Sequence, residues 1–195
     1  MPAPSTPKLP TRLTELFGIE KPILCGGLMW LATAEYVAGV VNAGAMGFIT
    51  PRSYPDADAF RDAVRRCRAM TGGRNFGVNL YISARPAENE KMKAYVDVVV
   101  EEGVRCIETA GYSPEALLPR LKQAGCTVLH KATTVRHAAK AVSAGVDAVA
   151  LIGAECGGHP GMGDIPAMLL AARALEQLDV PVVVGGGIGS GRQIA

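Results

Sequence analysis

Short apolar runs alternate with longer amphipathic stretches along most of the chain. Seven runs are nearly continuous in hydrophobic residues and predict buried strands, at 22–25, 46–50, 76–80, 105–109, 127–130, 148–152 and 180–184. Helical patterns between them predict helices at 33–43, 56–70, 88–102, 114–124, 134–144, 165–178 and from 190. In the second of these, Phe60, Ala63, Val64 and Cys67 share one helical face with arginines opposite, which is typical of a helix that covers a core.

Strands that are apolar on both faces and alternate with helices indicate a parallel sheet covered by helices. The short repeat, about 25 residues per strand and helix, favours a TIM (β/α)8-type barrel. An open doubly wound sheet is the alternative, but it would carry a G-x-G-x-x-G turn after its first strand, where this chain reads CGGLMW. With seven predicted strands, we expect an α/β barrel truncated after strand seven, whose first and seventh strands are unpaired edges.

Composition narrows the class of protein. The 195 residues, 49% hydrophobic and 19% charged, suit one globular domain, and a net charge of +2 without a basic stripe gives no reason to expect a nucleic-acid partner. Residues 1–12 are proline-rich and lack a signal-peptide core, so they predict a flexible N-terminal arm before a barrel domain at 13–195. The longest apolar stretch is too short to span a membrane. Five cysteines without a C-x-x-C pair predict reduced thiols and a cytoplasmic location.

In a barrel of this kind the active site lies at the carboxyl ends of the strands. Asn79 and Lys131 are polar residues at such ends, where a ligand explains them better than packing does. The stretch GGGIGSGR begins at Gly185 and continues through Gly186 and Gly187, so its backbone N–H groups can approach a phosphate. The alternative interpretation of this stretch is a tight strand-to-helix turn.

The loop AECGGHPGMGDIP, residues 154–166, joins the sixth strand to a helix that we expect to start at Asp164. Gly157 and Gly158 free the backbone to approach a flat ligand and hold His159 over the barrel mouth, where it suits general acid–base catalysis. The alternative is a structural histidine that only donates hydrogen bonds. Cysteine and histidine in this loop are too sparse for a metal site, and none is predicted.

Lys131 has a second interpretation. Together with Glu108 it could form a Schiff-base lysine with a carboxylate helper, although that chemistry leaves the two glycine-rich loops unexplained. His130 alternates with Lys131 along the strand, so we expect its side chain to point away from the site.

Several motifs together resemble one family. PILCGGLMW, GFIT, FGVNL, ETAG, LHKATTVRHA, GVDAVALIGAECGGHPG with DIP, and GGGIGSGR occur from residue 13 onward in the order seen in nitronate monooxygenases, formerly 2-nitropropane dioxygenases, which are FMN-dependent TIM barrels. The resemblance implies FMN as cofactor and His159 facing the substrate. It implies cofactor-binding roles for Gly26, Gly27, Leu28, Met29, Asn79, Lys131, Gly157, Gly158, Gly185, Gly186 and Gly187.

The function that this resemblance implies is the oxidation of alkyl nitronates or nitroalkanes with O2. Related bacterial NAD(P)H:quinone reductases share the motifs, so NAD(P)H and a quinone are alternative partners, and enoyl-thioester reduction is a further option. A further hypothesis, of a different class, is a non-catalytic barrel fragment. We expect small-molecule partners rather than nucleic acid or membrane, and a homo-oligomer is compatible with the sequence.

Overall fold

Seven parallel strands form one sheet, in a computed structural model that describes residues 9–158 and 161–194. The strands are β1 (Leu24–Cys25), β2 (Met46–Ile49), β3 (Gly77–Ile82), β4 (Cys106–Gly111), β5 (Thr127–Ala132), β6 (Ala148–Ile152) and β7 (Val182–Gly185). The helices are α1 (Arg12–Phe17), α2 (Ala34–Asn42), α3 (Ala57–Met70), α4 (Met92–Glu101), α5 (Leu118–Gln123), α6 (Val135–Ala144), α7 (Ala167–Gln177) and α8 (Gly191–Ile194), with 3-10 turns at Pro51–Ser53 and Pro86–Asn89.

The sheet order confirms the expected barrel. Neighbouring strands pair in chain order from β1 to β7, and each predicted apolar run overlaps one of them. Within the described residues, no strand pairs with the outer edge of β1 or β7, so the sheet remains open between them as predicted. None of the helices in this part of the chain is long and apolar enough to cross a bilayer.

Side chains that alternate along each strand fill two separate cores. Those on the outer face, such as Val78, Ile107 and Val128, pack beneath the helices. Those on the inner face, such as Phe48, Cys106 and Leu129, fill the barrel interior. Because inner and outer positions alternate, Asn79, Glu108 and Lys131 fall on the inner face, the side on which a barrel can hold a ligand. This alternation therefore fixes which polar residues reach the interior.

Helix α1 was not predicted. Its Leu13 and Phe17 enter the interior core near the start of β2, and the Phe17 and Phe48 rings meet edge to face with centroids 6.4 Å apart. Thr11 accepts a hydrogen bond from the Thr14 backbone, and Gly18 ends the helix in a left-handed conformation. The helix begins within the expected flexible arm, whose residues 1–8 lie outside the described ones.

His130 lies on the outer face of β5, opposite in direction to Lys131 as expected. It is buried, and its Nδ1 lies 2.9 Å from the Thr109 hydroxyl, which also donates to the Leu129 carbonyl. Burial, with a smaller contribution from His137, lowers the pKa of His130 from its ordinary value of 6.5 to about 4.

This pKa predicts an acid-sensitive fold. Between pH 6.5 and pH 4 the unfolded chain takes up a proton that the folded His130 refuses, so stability falls as pH falls through this window. The shift corresponds to a loss of about 3 kcal/mol in the free energy of unfolding. Urea denaturation across this range should show that loss in the wild type and a flatter profile in His130→Leu. His137→Gln removes only the smaller of the two causes and should keep most of the loss. An unchanged profile in His130→Leu would contradict the assignment.

Candidate active site

A buried carboxylate joins three strands at the carboxyl end of the sheet. The Glu108 side chain is only 2% exposed, and its Oε2 accepts hydrogen bonds from the Gly27 backbone N–H (2.8 Å) and from the Asn79 Nδ2 (2.6 Å). The same oxygen lies 3.3 Å from the Lys131 ammonium. A carboxylate this deeply buried needs such partners. Glu108 therefore ties the end of β1 to β3 and β5.

The glycines after β1 leave room for this cluster. A Cβ on Gly27 would collide with the Asn79 side chain and lie 2.8 Å from the Thr50 hydroxyl. A Cβ on Gly26 would lie 2.8 Å from Glu108 Oε1 and 3.2 Å from the Lys131 ammonium. The missing side chains of these glycines leave room for polar side chains of the neighbouring strands. The cofactor-binding role that the resemblance implies for them stays a prediction.

Several hydrogen-bond donors and acceptors of the cluster are available to a ligand. An ammonium has three donors, and the Lys131 side chain remains 23% exposed beside Glu108. Asn79 uses its amide nitrogen on Glu108, which leaves its carbonyl oxygen as an acceptor. The buried Thr50 hydroxyl has no hydrogen-bond partner among the residues that the structure describes. The cluster can thus offer donors and acceptors to a further polar group.

A second group of residues gathers at the ends of β6 and β7. The Glu155 carboxylate accepts a hydrogen bond from the first N–H of α7, at Ala167 (3.0 Å). Gly153 packs so closely against Ala167 that a Cβ would collide with its backbone. Glu155 also borders the turn after β7, since a Cβ on Gly186 would lie 3.5 Å from its Oε2. This carboxylate therefore caps α7 and lies beside the turn after β7.

The expected start of α7 at Asp164 is wrong. The helix begins at Ala167, and Pro166 before it is extended and provides no side-chain cap. A proline disfavours helical conformation in the residue before it, so Ile165 cannot belong to the helix. Glu155, twelve residues before Ala167 in the chain, satisfies the helix end instead.

Backbone conformation explains glycines in both loops, and in the first of them Gly158 has a φ of 93°. Gly186 and Gly187 have φ angles of 126° and 73°, which side chains rarely adopt, so the turn after β7 depends on glycine. A Cβ on Gly157 would meet no described atom within 4 Å, so the described part of the chain shows no packing reason for glycine there. His159 lies outside the described residues, and its predicted role stays a prediction.

The predicted site residues fall into two groups at the same end of the parallel sheet. Gly26, Gly27, Asn79 and Lys131 meet through Glu108, while the turn at Gly185–187 lies beside the start of the loop that carries Gly157 and Gly158. Leu28 and Met29 are 42% and 46% exposed beside the first group. The binding roles predicted for these residues remain predictions.

Two acidic residues with central positions were not among the predicted binding residues. Glu108 had been considered only as a helper of Lys131, and Glu155 had no role. A charged residue within the otherwise apolar run CIETA signals a buried partner. No local pattern signals Glu155, because its partner is a backbone N–H brought close by the loop.

Two known proteins have sequences similar to most of this chain. A (3aS,4S,5R,7aS)-5-hydroxy-7a-methyl-1-oxo-octahydro-1H-indene-4-carboxyl-CoA dehydrogenase from Rhodococcus jostii is 34% identical over 187 residues, 96% of this chain and 50% of that protein. A probable nitronate monooxygenase from Staphylococcus aureus is 26% identical over 222 residues, 94% of this chain and 62% of that protein. The chain thus spans about half the length of the first of these relatives.

Solved structures of proteins with similar sequences share this fold. FabK from Thermotoga maritima superposes with a TM-score of 0.86 at 32% identity, over 96% of this chain and 57% of that one. A nitroalkane oxidase from Streptomyces ansochromogenes superposes with a TM-score of 0.80 at 28% identity, over 94% of this chain and 63% of that one. The sequence profile of the nitronate monooxygenase family matches residues 10–195. Profile, relatives and barrel together show that this chain belongs to the nitronate monooxygenase family.

Proposed function

We propose that this chain is the cofactor-binding part of an FMN-dependent oxidoreductase that oxidises alkyl nitronates with O2. The observation that carries the proposal is the Glu108 cluster, in which polar side chains from β3, β4 and β5 converge at the end of the barrel where active sites of this fold lie. Family membership supports the oxidoreductase class.

The residues present fit an FMN group. Its ring carries carbonyl oxygens and ring nitrogens, which match the spare Lys131 donors, the Asn79 carbonyl oxygen and the Thr50 hydroxyl, for which the described residues supply no partner. The turn through Gly186 and Gly187 exposes backbone where a phosphate can be bound. When bound, FMN accepts electrons from the substrate and passes them to O2. Lys131 and Asn79 would hold its ring by charge and hydrogen bonds.

His159 is the proposed base. A neutral nitroalkane must lose a proton from carbon before it becomes a nitronate, and an imidazole with an ordinary pKa can accept that proton near neutral pH. The glycines at 157, 158 and 161 give its loop backbone freedom. A nitronate supplied as substrate has already lost this proton and bypasses His159.

One experiment separates the proposed activity from its alternatives. Protein loaded with FMN is mixed anaerobically with an alkyl nitronate or with NADH, and loss of the flavin absorbance is followed. Reduction by the nitronate supports the proposal, whereas fast reduction by NADH alone supports a quinone reductase. A chain that retains no flavin absorbance after incubation with FMN would support the non-catalytic reading.

A second candidate is oxidation or reduction of an alicyclic acyl-CoA thioester. The 34% identity to the Rhodococcus jostii dehydrogenase favours it, because the name of that relative specifies a carboxyl-CoA thioester on a fused ring. A cyclic acyl-CoA in the same anaerobic assay tests this candidate, and an enoyl thioester with NAD(P)H tests the reverse direction.

Lys131→Met should weaken FMN binding. Loss of a charged hydrogen bond to the cofactor costs about 1–3 kcal/mol, which titration of free flavin fluorescence would detect without any turnover. Lys140→Met, which alters an exposed lysine on α6, is the matched control. Because Lys131→Met leaves Glu108 unpaired, Lys131→Met/Glu108→Gln should be measured as well. Unchanged affinity in both variants would assign Lys131 a purely structural role.

A further inference from the structure

The loop between β1 and α2, residues 26–33 and here called the mouth loop, exposes four consecutive large apolar side chains. Leu28, Met29, Trp30 and Leu31 are 42%, 46%, 70% and 65% exposed. Single exposed apolar residues are ordinary, but a contiguous patch usually marks a binding surface. The same loop carries Gly26 and Gly27, which contact the Glu108 cluster, so the patch is continuous with the candidate active site.

Trp30 occupies a position that favours glycine. Its φ of 69° is the only positive φ of a non-glycine residue within 9–158 and 161–194. A left-handed conformation costs a bulky L residue about 1–2 kcal/mol, and elsewhere in the described chain glycine occupies such positions. Packing does not explain the tryptophan, because most of its side chain is exposed.

The strained conformation is held in place by the loop itself. The Trp30 backbone N–H donates to the Ser53 hydroxyl (2.8 Å), and the N–H groups of Leu31 and Ala32 both donate to the Leu28 carbonyl (3.2 and 2.8 Å). These bonds fix the loop backbone from which the indole projects. Strain that the surroundings maintain in this way is concentrated at functional sites.

A groove opens beside the loop. It has a volume of about 360 Å³ and is lined in part by Met29, Arg52, Tyr54 and Tyr95. The Arg52 guanidinium is already engaged, with the Glu88 carbonyl and carboxylate and over the Tyr81 ring. Charged side chains make up half of the lining residues, so the groove presents both apolar and charged surface next to Met29.

We propose that Trp30 determines substrate specificity: its indole forms an apolar wall for the non-reacting part of the substrate, so that the site favours substrates with a bulky alicyclic group over the smallest ones. The inference rests on the proposed function, since it names the substrate class of the same site. Contact with a saturated ring removes apolar surface of both partners from water, and a two-carbon substrate cannot make that contact.

The test uses Trp30 as its own reporter, because it is the only tryptophan of the chain. Cyclohexanecarboxylate and acetate are titrated into the FMN-loaded protein; a carboxylate shares the planar, singly charged two-oxygen group of a nitronate but does not react. We expect cyclohexanecarboxylate to change the indole emission and to bind at least about tenfold more tightly than acetate. No change in emission, or equal affinities, would overturn the inference.

A kinetic comparison adds a second readout. In Trp30→Gly, the preference in kcat/KM for the nitronate of nitrocyclohexane over that of nitroethane should fall about tenfold, mainly through KM, while Trp30→Phe retains it. Trp30→Gly should be at least as stable as the wild type, because glycine relieves the left-handed strain. The control is Leu175→Ala, which should keep the preference. Leu175 is also 70% exposed but lies on α7, and alanine replaces it because glycine would destabilise a helix.

The outcomes also separate this inference from the proposed reaction. If no nitronate reduces the flavin but the indole still responds only to the cyclic acid, the substrate class stands and the reaction is wrong. If both nitronates are oxidised equally well and the indole does not respond, the reaction stands and the role of Trp30 is wrong.

Discussion

Glu108→Ala is expected to lower the free energy of unfolding by about 3–5 kcal/mol, the loss typical of breaking a buried ion pair. The substitution leaves the Lys131 ammonium without its carboxylate partner and removes the acceptor of the Gly27 and Asn79 N–H groups. Urea denaturation measures the loss. Glu35→Ala is the matched control, because Glu35 also pairs with an arginine, Arg66, at 2.7 Å but is 54% exposed, and should lose at most about 1 kcal/mol.

A double variant checks the cause of this loss. Glu108→Ala/Lys131→Met removes the uncompensated ammonium as well, so it should be more stable than Glu108→Ala alone. Equal losses in Glu108→Ala and Glu35→Ala would mean that the buried cluster contributes no more than a surface pair.

His159→Asn is expected to slow the oxidation of neutral nitroalkanes by roughly 10²–10⁴-fold, the usual contribution of a general base. Pre-formed nitronates have already lost the proton, so their oxidation should change much less. The variant and the wild type are compared in steady state on a nitroalkane and on its nitronate, with bound FMN measured in both proteins.

The comparison between the two substrates distinguishes a base from a binding residue. A residue that binds the cofactor or shapes the site would affect both substrates alike. Equal loss on both, together with reduced FMN content, would leave His159 as a wall of the site rather than its base.

The strands were predictable because each lies in an apolar run of the sequence, and the run at 148–152 coincides with β6. The ends of the helices were harder to predict, because they depend on proline geometry and on hydrogen-bond partners that are distant in the sequence. The helix predicted at 114–124 begins only at Leu118, and the one predicted at 88–102 begins at Met92, after a 3-10 turn at Pro86–Asn89. Helix α1 could have been found from Thr11 and Gly18, which are typical of a helix start and end.

In the candidate site, the sequence identified individual residues but could not show how they interact. Asn79 and Lys131 stand out as polar residues in apolar strands, yet their common partner Glu108 becomes evident only when β3, β4 and β5 are placed side by side. The same is true of Gly27, since a short apolar run followed by two glycines cannot show which strand lies against them. The strain at Trp30 likewise depends on a backbone angle that no composition encodes.

The strands of the sheet differ in how many residues they align with their neighbours, and this difference affects how the site responds to a ligand. β1 aligns with β2 over two residue pairs, whereas β3 and β4 align over six, so β1 is the strand whose backbone amides open to solvent most readily. β1 leads into the loop that carries Gly27 and Trp30. In that loop the Gly27 N–H donates a hydrogen bond to Glu108, which lies in the centre of the sheet. A ligand that binds at this end would draw the loosest strand into the cooperative unit, so that local unfolding and ligand affinity become linked quantities in this protein.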